Sequence, residues 1–296
     1  MKYILLIGDG MGDVPVPALN NQTPLEAAAT PTMDRLAKAA EMLLVRTVPV
    51  GYPPGSDVAN LSLLGYEPEV YYTGRAPLEA ASLGVELAAD EIAFRCNLVH
   101  VERTDGRLRM IDYSSGHITT EESRQLIDAL QAECGNQLIA LYPGVSYRHL
   151  LVYRGALPEG FFTVPPHDHS DAEVTDFFAE YSKVPAFGPL LAKAEAILAD
   201  HPVNRERARQ GKRTANGIWL WGEGKRPAMQ TLEARFGIRG GLISAVDLLK
   251  GLGVLGGLQV IDVPGATGYL DTNYAGKAQA AIDVLAKDDF VLVHVE

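Results

Sequence analysis

The stretch "VGYPPGSDVANLSLLGYEP" (Val50 to Pro68) delivers one serine, Ser56, to the start of a helix-like segment. Two prolines and a glycine precede it and an aspartate, Asp57, follows. One reading of Ser56 is a helix N-cap. The other is a nucleophile at a helix N-terminus, where the backbone favours an alkoxide or a phosphate. Serine needs activation before it can attack. No Ser-His-Asp order and no G-x-S-x-G elbow supplies it, but a metal could lower the hydroxyl pKa. A second candidate lies in "LLIGDGMGD", where Asp9 follows an apolar run. The G-x-G-x-x-G dinucleotide spacing is absent there. Asp9 reads either as a turn cap or as a carboxylate ligand for a divalent cation.

These residues need elements to hold them. "KYILLIG" is a continuous apolar run, predicting a strand buried on both faces of a parallel sheet. "TPTMDRLAKAA" predicts a helix capped at Thr30, and "MLLVRTVPV" a second strand. After Ser56, apolar Val58, Leu61 and Leu64 share one helical face and Gly65 stops the helix. From about Ala93 the texture changes. "FRCNLVHVERTDGRLRMIDY" reads as two strands joined at "TDG". "HITTEESRQLIDALQAE" reads as a helix with Thr119 and Glu122 spaced as a capping box. "NQLIALY" and "SYRHLLVYRG" read as strands, followed by the polar loop "TVPPHDHSDAE". The first style returns with "GGLISAVDLLKGLGVLGG" as a helix, "LQVIDVPG" as a strand, "NYAGKAQAAIDVLAK" as a helix and "DFVLVHVE" as a buried strand. The expected layout is an α/β core over 1–85 and 215–296, with an α+β lobe inserted over 86–214. Sites in open α/β sheets gather at strand carboxyl ends. A chain stopping at Glu296, directly after a strand, is expected to lack part of its own site. A shortened chain or a disordered tail would each account for that.

Composition limits the function classes. The chain has 296 residues, 47% of them hydrophobic, and a formal net charge of −11, which argues against a nucleic-acid binder. The dense basic run "NRERARQGKR" (Asn204 to Arg213) reads most simply as a solvated face. Cys96 and Cys134 form neither a metal-spaced pair nor a disulfide framework. No apolar stretch is long enough to span a bilayer, and the apolar run at the N-terminus is too short for a signal peptide. A soluble, cytoplasmic protein is expected.

Taken together, "GDGMGD", "PGSDVANLSLLGYEP" and "YYTGRAPLEAASLGV" resemble the cofactor-independent phosphoglycerate mutases of the archaeal type, within the alkaline phosphatase superfamily. "DYSSGHIT", "YPGVSYRHLLV", "PPHDH" and "GYLDTNYAGKA" continue the likeness in the same order. The resemblance implies an alkaline-phosphatase-like, mostly parallel core with helices on both faces, two divalent metals (manganese, zinc or magnesium) and an inserted substrate-binding lobe. It implies Asp9 as a metal ligand, and Ser56 as both ligand and phosphorylated nucleophile, supported by Asp57 and Asn60, for which ordinary helix N-terminal roles are the alternative. His117 resembles a substrate-facing histidine, and is otherwise a turn residue before a helix. Arg148 resembles a phosphate or carboxylate clamp, and is otherwise a surface arginine on a strand. His149 must face the other side of that strand. His167 and Asp168 lie in a stiff loop that could reach the substrate. Arg75 and Lys277 are further phosphate candidates, with ordinary surface charge as the alternative for each.

The family's remaining metal ligands, a D-x-x-x-H segment, an Asp-His pair and a later histidine, have no counterpart in these 296 residues. The fragment as it stands is therefore expected to bind metal weakly, to be inactive, and to have an incomplete core whose sheet is short of at least one strand and some covering helix. The expected reaction of the whole protein interconverts 3- and 2-phosphoglycerate, a small phosphorylated acid, through a phosphoserine. Water must be excluded by closure of the lobe. Two alternatives remain. "YYTGRAPLEAASLGV" equally resembles bacterial members proposed as homoserine kinases, and missing ligands would suit a non-catalytic binding protein.

Overall fold

Strand-length apolar runs and helical segments alternate along the chain, with the elements set out in sequence as follows. The computed structural model describes residues 1–296 except Pro53, so the first proline of the "PPG" approach lies outside the described residues. β1 (Tyr3–Gly8) precedes α1 (Pro24–Ala27), α2 (Pro31–Ala39), α3 (Ser56–Leu63) and α4 (Pro68–Tyr71). Next come α5 (Ala76–Ser82), β2 (Glu91–Thr104), β3 (Arg107–Asp112), α6 (Thr120–Cys134), β4 (Ile139–Val145) and β5 (Arg148–Arg154). They are followed by α7 (Thr175–Tyr181), α8 (Phe187–Asp200), α9 (Pro202–Arg209) and β6 (Gly217–Gly224). The chain continues through α10 (Leu232–Phe236), β7 (Gly240–Ile243), α11 (Asp247–Leu255), β8 (Gln259–Val260), α12 (Tyr274–Leu285) and β9 (Phe290–Val295). Among the described residues no helix is long and apolar enough to cross a membrane.

The molecule is α/β and divides into two units, Met1–Tyr72 with Met229–Glu296, and Thr73–Ala228. Their boundaries differ from the 85/86 and 214/215 positions expected from sequence. The difference is α5 and β6. Ala76 and Ala80 of α5 pack on Ala93, Leu150 and Val152, and β6 pairs with β2, so both join the antiparallel sheet.

The first unit holds a four-stranded parallel sheet in the order β1-β9-β7-β8. Ala281 and Val284 of α12 cover one face, on Ile243, Val291 and Val293. On the other face Gly253 of α11 lies against Leu242. Gly240 lets β7 approach β9 closely, because a Cβ there would stand 1.9 Å from the Phe290 carbonyl oxygen.

Three sequence expectations are corrected here. β1 is an edge strand with Tyr3, Ile4 and Leu6 exposed, because α12 covers β9 and β7 and stops short of it. "MLLVRTVPV" is irregular chain rather than a strand, with Leu43, Leu44 and Val45 exposed. "GGLISAVDLLKGLGVLGG" is a strand, β7, followed by α11, since its first residues are buried as a parallel strand between β9 and β8.

The second unit is built on an antiparallel sheet in which β2 is central, pairing with β3, β5 and β6, while β4 pairs with β5. Asp105 and Gly106, both at positive φ, make the tight β2–β3 turn. Strand alternation divides the sheet. Phe94, Cys96 and Leu98 face α6 and α8 with Leu126, Leu130, Leu190 and Ala194. Ala93, Arg95 and Asn97 face the other way. Thr119 and Glu122 form the capping box at the start of α6. The basic run is not simply solvated. Arg207 is 3% exposed, and its guanidinium donates to Glu122, the Ser115 carbonyl and the Arg213 carbonyl.

Candidate active site

Three adjacent parallel strands end side by side in the first unit. Asp9 follows β1, His294 lies near the end of β9, and Ser244 follows β7. Ser56 meets them from α3. Its helix is capped by Gly55, so Ser56 occupies the first helical position and makes no cap bond. Its hydroxyl instead donates to Asp9 Oδ2 at 3.0 Å. The turn is held from behind. Asp57 accepts from the Tyr72 hydroxyl at 2.7 Å and from the Val58 N–H at 3.0 Å. Asn60 Nδ2 donates to the Ser56 carbonyl at 2.8 Å, leaving buried Asn60 Oδ1 without a partner.

Asp9, Gly55, Ser56 and Asn60, with Thr47 and Val48, line an open cavity of about 360 Å³. His294 Nε2 lies 3.1 Å from Asp9 Oδ2, and His294 Nδ1 lies 3.4 Å from Ser244 Oγ. Lys277 is 2% exposed and donates to the His294 main-chain carbonyl at 3.2 Å. Burial lowers its pKa, with the Glu296 charge opposing.

In the second unit the face of the sheet opposite α6 and α8 carries cations and aromatic rings. The Arg95 guanidinium lies 4.1 Å from the Trp221 ring centroid, and that of Arg75 lies 5.6 Å from it. Glu79 bridges both arginines, at 2.7 Å to Arg95 and 3.2 Å to Arg75. Burial brings Arg95 down to about 10 against the opposing charge of Glu79, so it stays cationic at neutral pH. The rings run on from Trp221 to His167 (5.5 Å), Tyr113 (6.0 Å), Tyr147 (5.6 Å) and His117 (6.3 Å), each distance taken from the preceding ring. Arg148 lies 5.9 Å from the Tyr147 ring and keeps a buried Nε with no partner.

His117 is presented by a loop organised on Asp112. That carboxylate accepts from Ser114 Oγ, the N–H groups of Ser114 and Gly116, and Arg213. Burial alone would raise Asp112, but these bonds hold it at about 2. Asp168 is exposed, 3.7 Å from His167. Partial burial lowers the His167 pKa, with Asp168 opposing and Arg95 and Arg75 adding to the effect. His149 faces away from this layer and is buried, as alternation requires.

The comparisons with known proteins agree in direction. A family profile for 2,3-bisphosphoglycerate-independent phosphoglycerate mutase matches residues 37–204. The enzyme of that name from Methanosarcina barkeri is 52% identical over 296 residues, which is 100% of this chain and 73% of that protein. The chain belongs to this family. Among solved structures, the cofactor-independent phosphoglycerate mutase of Thermoplasma acidophilum is 32% identical with a TM-score of 0.60, covering 100% of this chain and 77% of that one. A protein of Pyrococcus horikoshii is 30% identical with a TM-score of 0.77, covering 99% and 70%.

Membership of the mutase family implies metals. The oxygens of Asp9, Ser56 and Asn60 suit a hard divalent cation. Only Asp9 among them is a carboxylate, whereas a catalytic metal ordinarily takes about three strong protein ligands. Among the described residues no group of three or more His, Cys, Asp or Glu side chains is placed to hold one. The described residues therefore do not by themselves supply a full set of strong metal ligands.

The motif reading missed His294, Ser244, Arg95, Glu79 and Trp221. The signal for His294 was its place at the carboxyl end of a buried strand. For Arg95 it was a charge interrupting "AFRCNLV".

Proposed function

We propose that the full-length protein interconverts 3-phosphoglycerate and 2-phosphoglycerate through a phosphoserine at Ser56, as a divalent-metal-dependent enzyme using manganese, zinc or magnesium. The observation that carries the reading is the Ser56 hydroxyl, which is turned away from its own helix and hydrogen-bonded to Asp9. In the reaction Ser56 Oγ bonds to phosphorus as the bond from phosphorus to the glycerate oxygen breaks. The hydroxyl proton passes to Asp9, which hands it on to the departing glycerate oxygen. The N-terminus of α3 favours the negative charge gathered on the phosphoryl group. The other glycerate hydroxyl then takes the phosphoryl group back, which restores Ser56. Both half-reactions are in-line displacements governed by positioning and charge.

In this reading Arg148, His117, His167 and Asp168 recognise the acid. The unpartnered Arg148 Nε supports a clamp on a carboxylate or phosphate. Arg75 and Arg95 add positive charge moderated by Glu79. Lys277 holds the β9 end rather than a phosphate. The parallel unit serves as the phosphatase-like, metal-binding core and the antiparallel unit as the substrate-binding lobe. A cytoplasmic location, with no nucleic-acid or membrane partner, belongs to the same proposal and suits two buried free cysteines.

The test is interconversion of the two phosphoglycerates, followed by ³¹P NMR, with the full-length gene product and added manganese. Ser56→Ala should lower kcat at least about a thousandfold without unfolding the protein. Acid-quenched wild type should carry phosphate on Ser56. A folded, metal-loaded protein without mutase activity would overturn the reading in favour of homoserine phosphorylation or a binding role.

A further inference from the structure

Between β3 and α6 the backbone does something it does nowhere else among the described residues. Ser115, Gly116 and His117 are left-handed in succession, at φ of 51°, 70° and 48°. Glycine takes that conformation freely, but a serine and a histidine keep it only where their surroundings impose it. The bonds that impose it have fixed directions. The Asp112 carboxylate can only accept, and it is offered the Ser114 and Gly116 N–H groups at 2.8 Å each and the Ser114 hydroxyl at 2.6 Å. With its proton turned to Asp112, Ser114 Oγ accepts the His117 N–H at 3.2 Å. Buried Ser115 donates its hydroxyl to the Leu98 carbonyl at 3.0 Å, which ties the turn to β2. Arg213, the last residue of the basic run, holds Asp112 from outside, with Nη1 at 2.9 Å from its Oδ2 and 3.3 Å from the Ile111 carbonyl. The His117 imidazole, by contrast, makes no hydrogen bond or ion pair among the described residues, and the Tyr147 ring stands 6.3 Å from it. The place of the imidazole is therefore set by the backbone, and the backbone by Asp112.

We propose that Asp112, held in turn by Arg213, is a positioning residue that locks residues 115–117 in the left-handed conformation and so aims His117 at the phosphorylated acid. This inference rests on the reading of His117 as a substrate-facing group. A turn that only joined β3 to α6 would be served at less cost by glycine or asparagine at these positions. A histidine kept there against its preference is strain placed where a side chain has to be delivered. Relaxing His117 to negative φ would swing its Cβ, and the imidazole with it, away from its present direction. Asp112 and Arg213 touch the substrate only through this histidine, so their effect must disappear when the imidazole is removed.

The experiment uses the full-length, manganese-loaded protein and its Asp112→Ala, Arg213→Ala and His117→Ala variants, together with the two double variants that include His117→Ala. Misplacing the imidazole should lower kcat/KM for phosphoglycerate by about ten- to a hundredfold in Asp112→Ala. Arg213→Ala, at a half-exposed position that the fold tolerates better, should lower it by about two- to fivefold. On the His117→Ala background neither change should cost more than about twofold. Wild-type kcat/KM in Asp112→Ala overturns the proposal. So do double variants whose losses equal the product of the single losses, because a general weakening of the fold would act whether or not the imidazole is there.

A second readout needs no activity. Crystal structures of the wild type and of Asp112→Ala should show Ser115 and His117 at positive φ in the first and His117 released to negative φ in the second. An unchanged left-handed run in Asp112→Ala overturns the proposal. A His117→Ala variant as active as wild type would instead sink the reading of His117 as a substrate contact, while the two backbones still decide whether Asp112 holds the turn.

Discussion

At the scale of single residues, the direction of its hydroxyl separates Ser56 from an ordinary helix cap. A capping serine accepts from a backbone N–H of its own helix, whereas Ser56 donates to Asp9 across 47 residues of sequence. The types and turn positions of Ser56 and Asp9 were readable because prolines and glycines mark both turns. His294 was not readable, because a histidine inside "FVLVHV" looks like any buried strand residue until the neighbouring strand is known. Buried His149 makes a different kind of prediction. Its Nδ1 accepts from the Gly144 N–H at 3.0 Å, its Nε2 is buried without a partner, and burial lowers its pKa to about 3. The folded state thus refuses a proton that the unfolded chain takes up near the ordinary value of 6.5. Its contribution to stability is complete above pH 6.5 and is lost as pH falls towards 3, by about 1.4 kcal/mol per pH unit. Asp112, also lowered, acts only below its ordinary 3.8 and does not enter the window between pH 4.5 and 6.5, whereas His167 and His201, lowered by partial burial, add a share that a His149 variant keeps. Urea midpoints measured across that window should fall with pH in wild type. They should fall less steeply in His149→Asn, which keeps an acceptor for Gly144 and cannot titrate. Equal slopes would show that His149 does not carry the effect.

At the scale of elements, local chemistry was more legible than pairing. The Thr119–Glu122 box and the Asp105–Gly106 turn are written in a few adjacent residues, and both form. The exposure of β1 and the irregular path of 42–50 depend on which neighbours cover an apolar run, and an apolar run does not name its neighbours. The basic run shows the same limit, since one of its charges is structural. Arg207 ties α9 to the start of α6 and to the loop that presents His117, through Glu122 at 2.8 Å and the Ser115 carbonyl at 2.6 Å. Arg207→Ala should destabilise the protein by about 1–3 kcal/mol, the cost of stranding a buried acceptor. Arg207→Lys should recover only part of this, because an ammonium cannot reach acceptors in three directions with a planar fork. Thr119→Ala, which removes one cap, should cost about 1 kcal/mol. Urea unfolding at neutral pH ranks the three variants, and an Arg207→Ala loss no larger than that of Thr119→Ala would contradict the bracing role.

At the scale of the whole molecule, the order of chain segments places one unit inside the other. The sequence signalled an insertion through its change of texture, but α5 and β6 carry the same helix and strand patterns as the flanking core. Only their packing on β2 and pairing with it assign them to the inserted unit. The two chain crossings into that unit lie side by side. Thr73 Oγ1 donates to the Lys225 carbonyl at 2.5 Å. Neither Gly74 nor Gly224 has room for a side chain, because a Cβ would stand 2.0 Å from the Glu223 carbonyl oxygen or 2.1 Å from that of Thr73. An insertion whose ends meet imposes little loop-closure cost on the unit it leaves and needs little from it. The inserted unit also buries its own core, in which Phe94, Leu126, Leu130, Phe187 and Leu220 are fully enclosed. Residues 73–228 expressed alone should therefore fold, with a single cooperative thermal transition and dispersed amide resonances. Gly224→Ala in that fragment should lower its melting temperature, because the two crossings must separate to admit the methyl group. A fragment that stays unfolded while the full chain folds would show that the crossings do not make the unit independent.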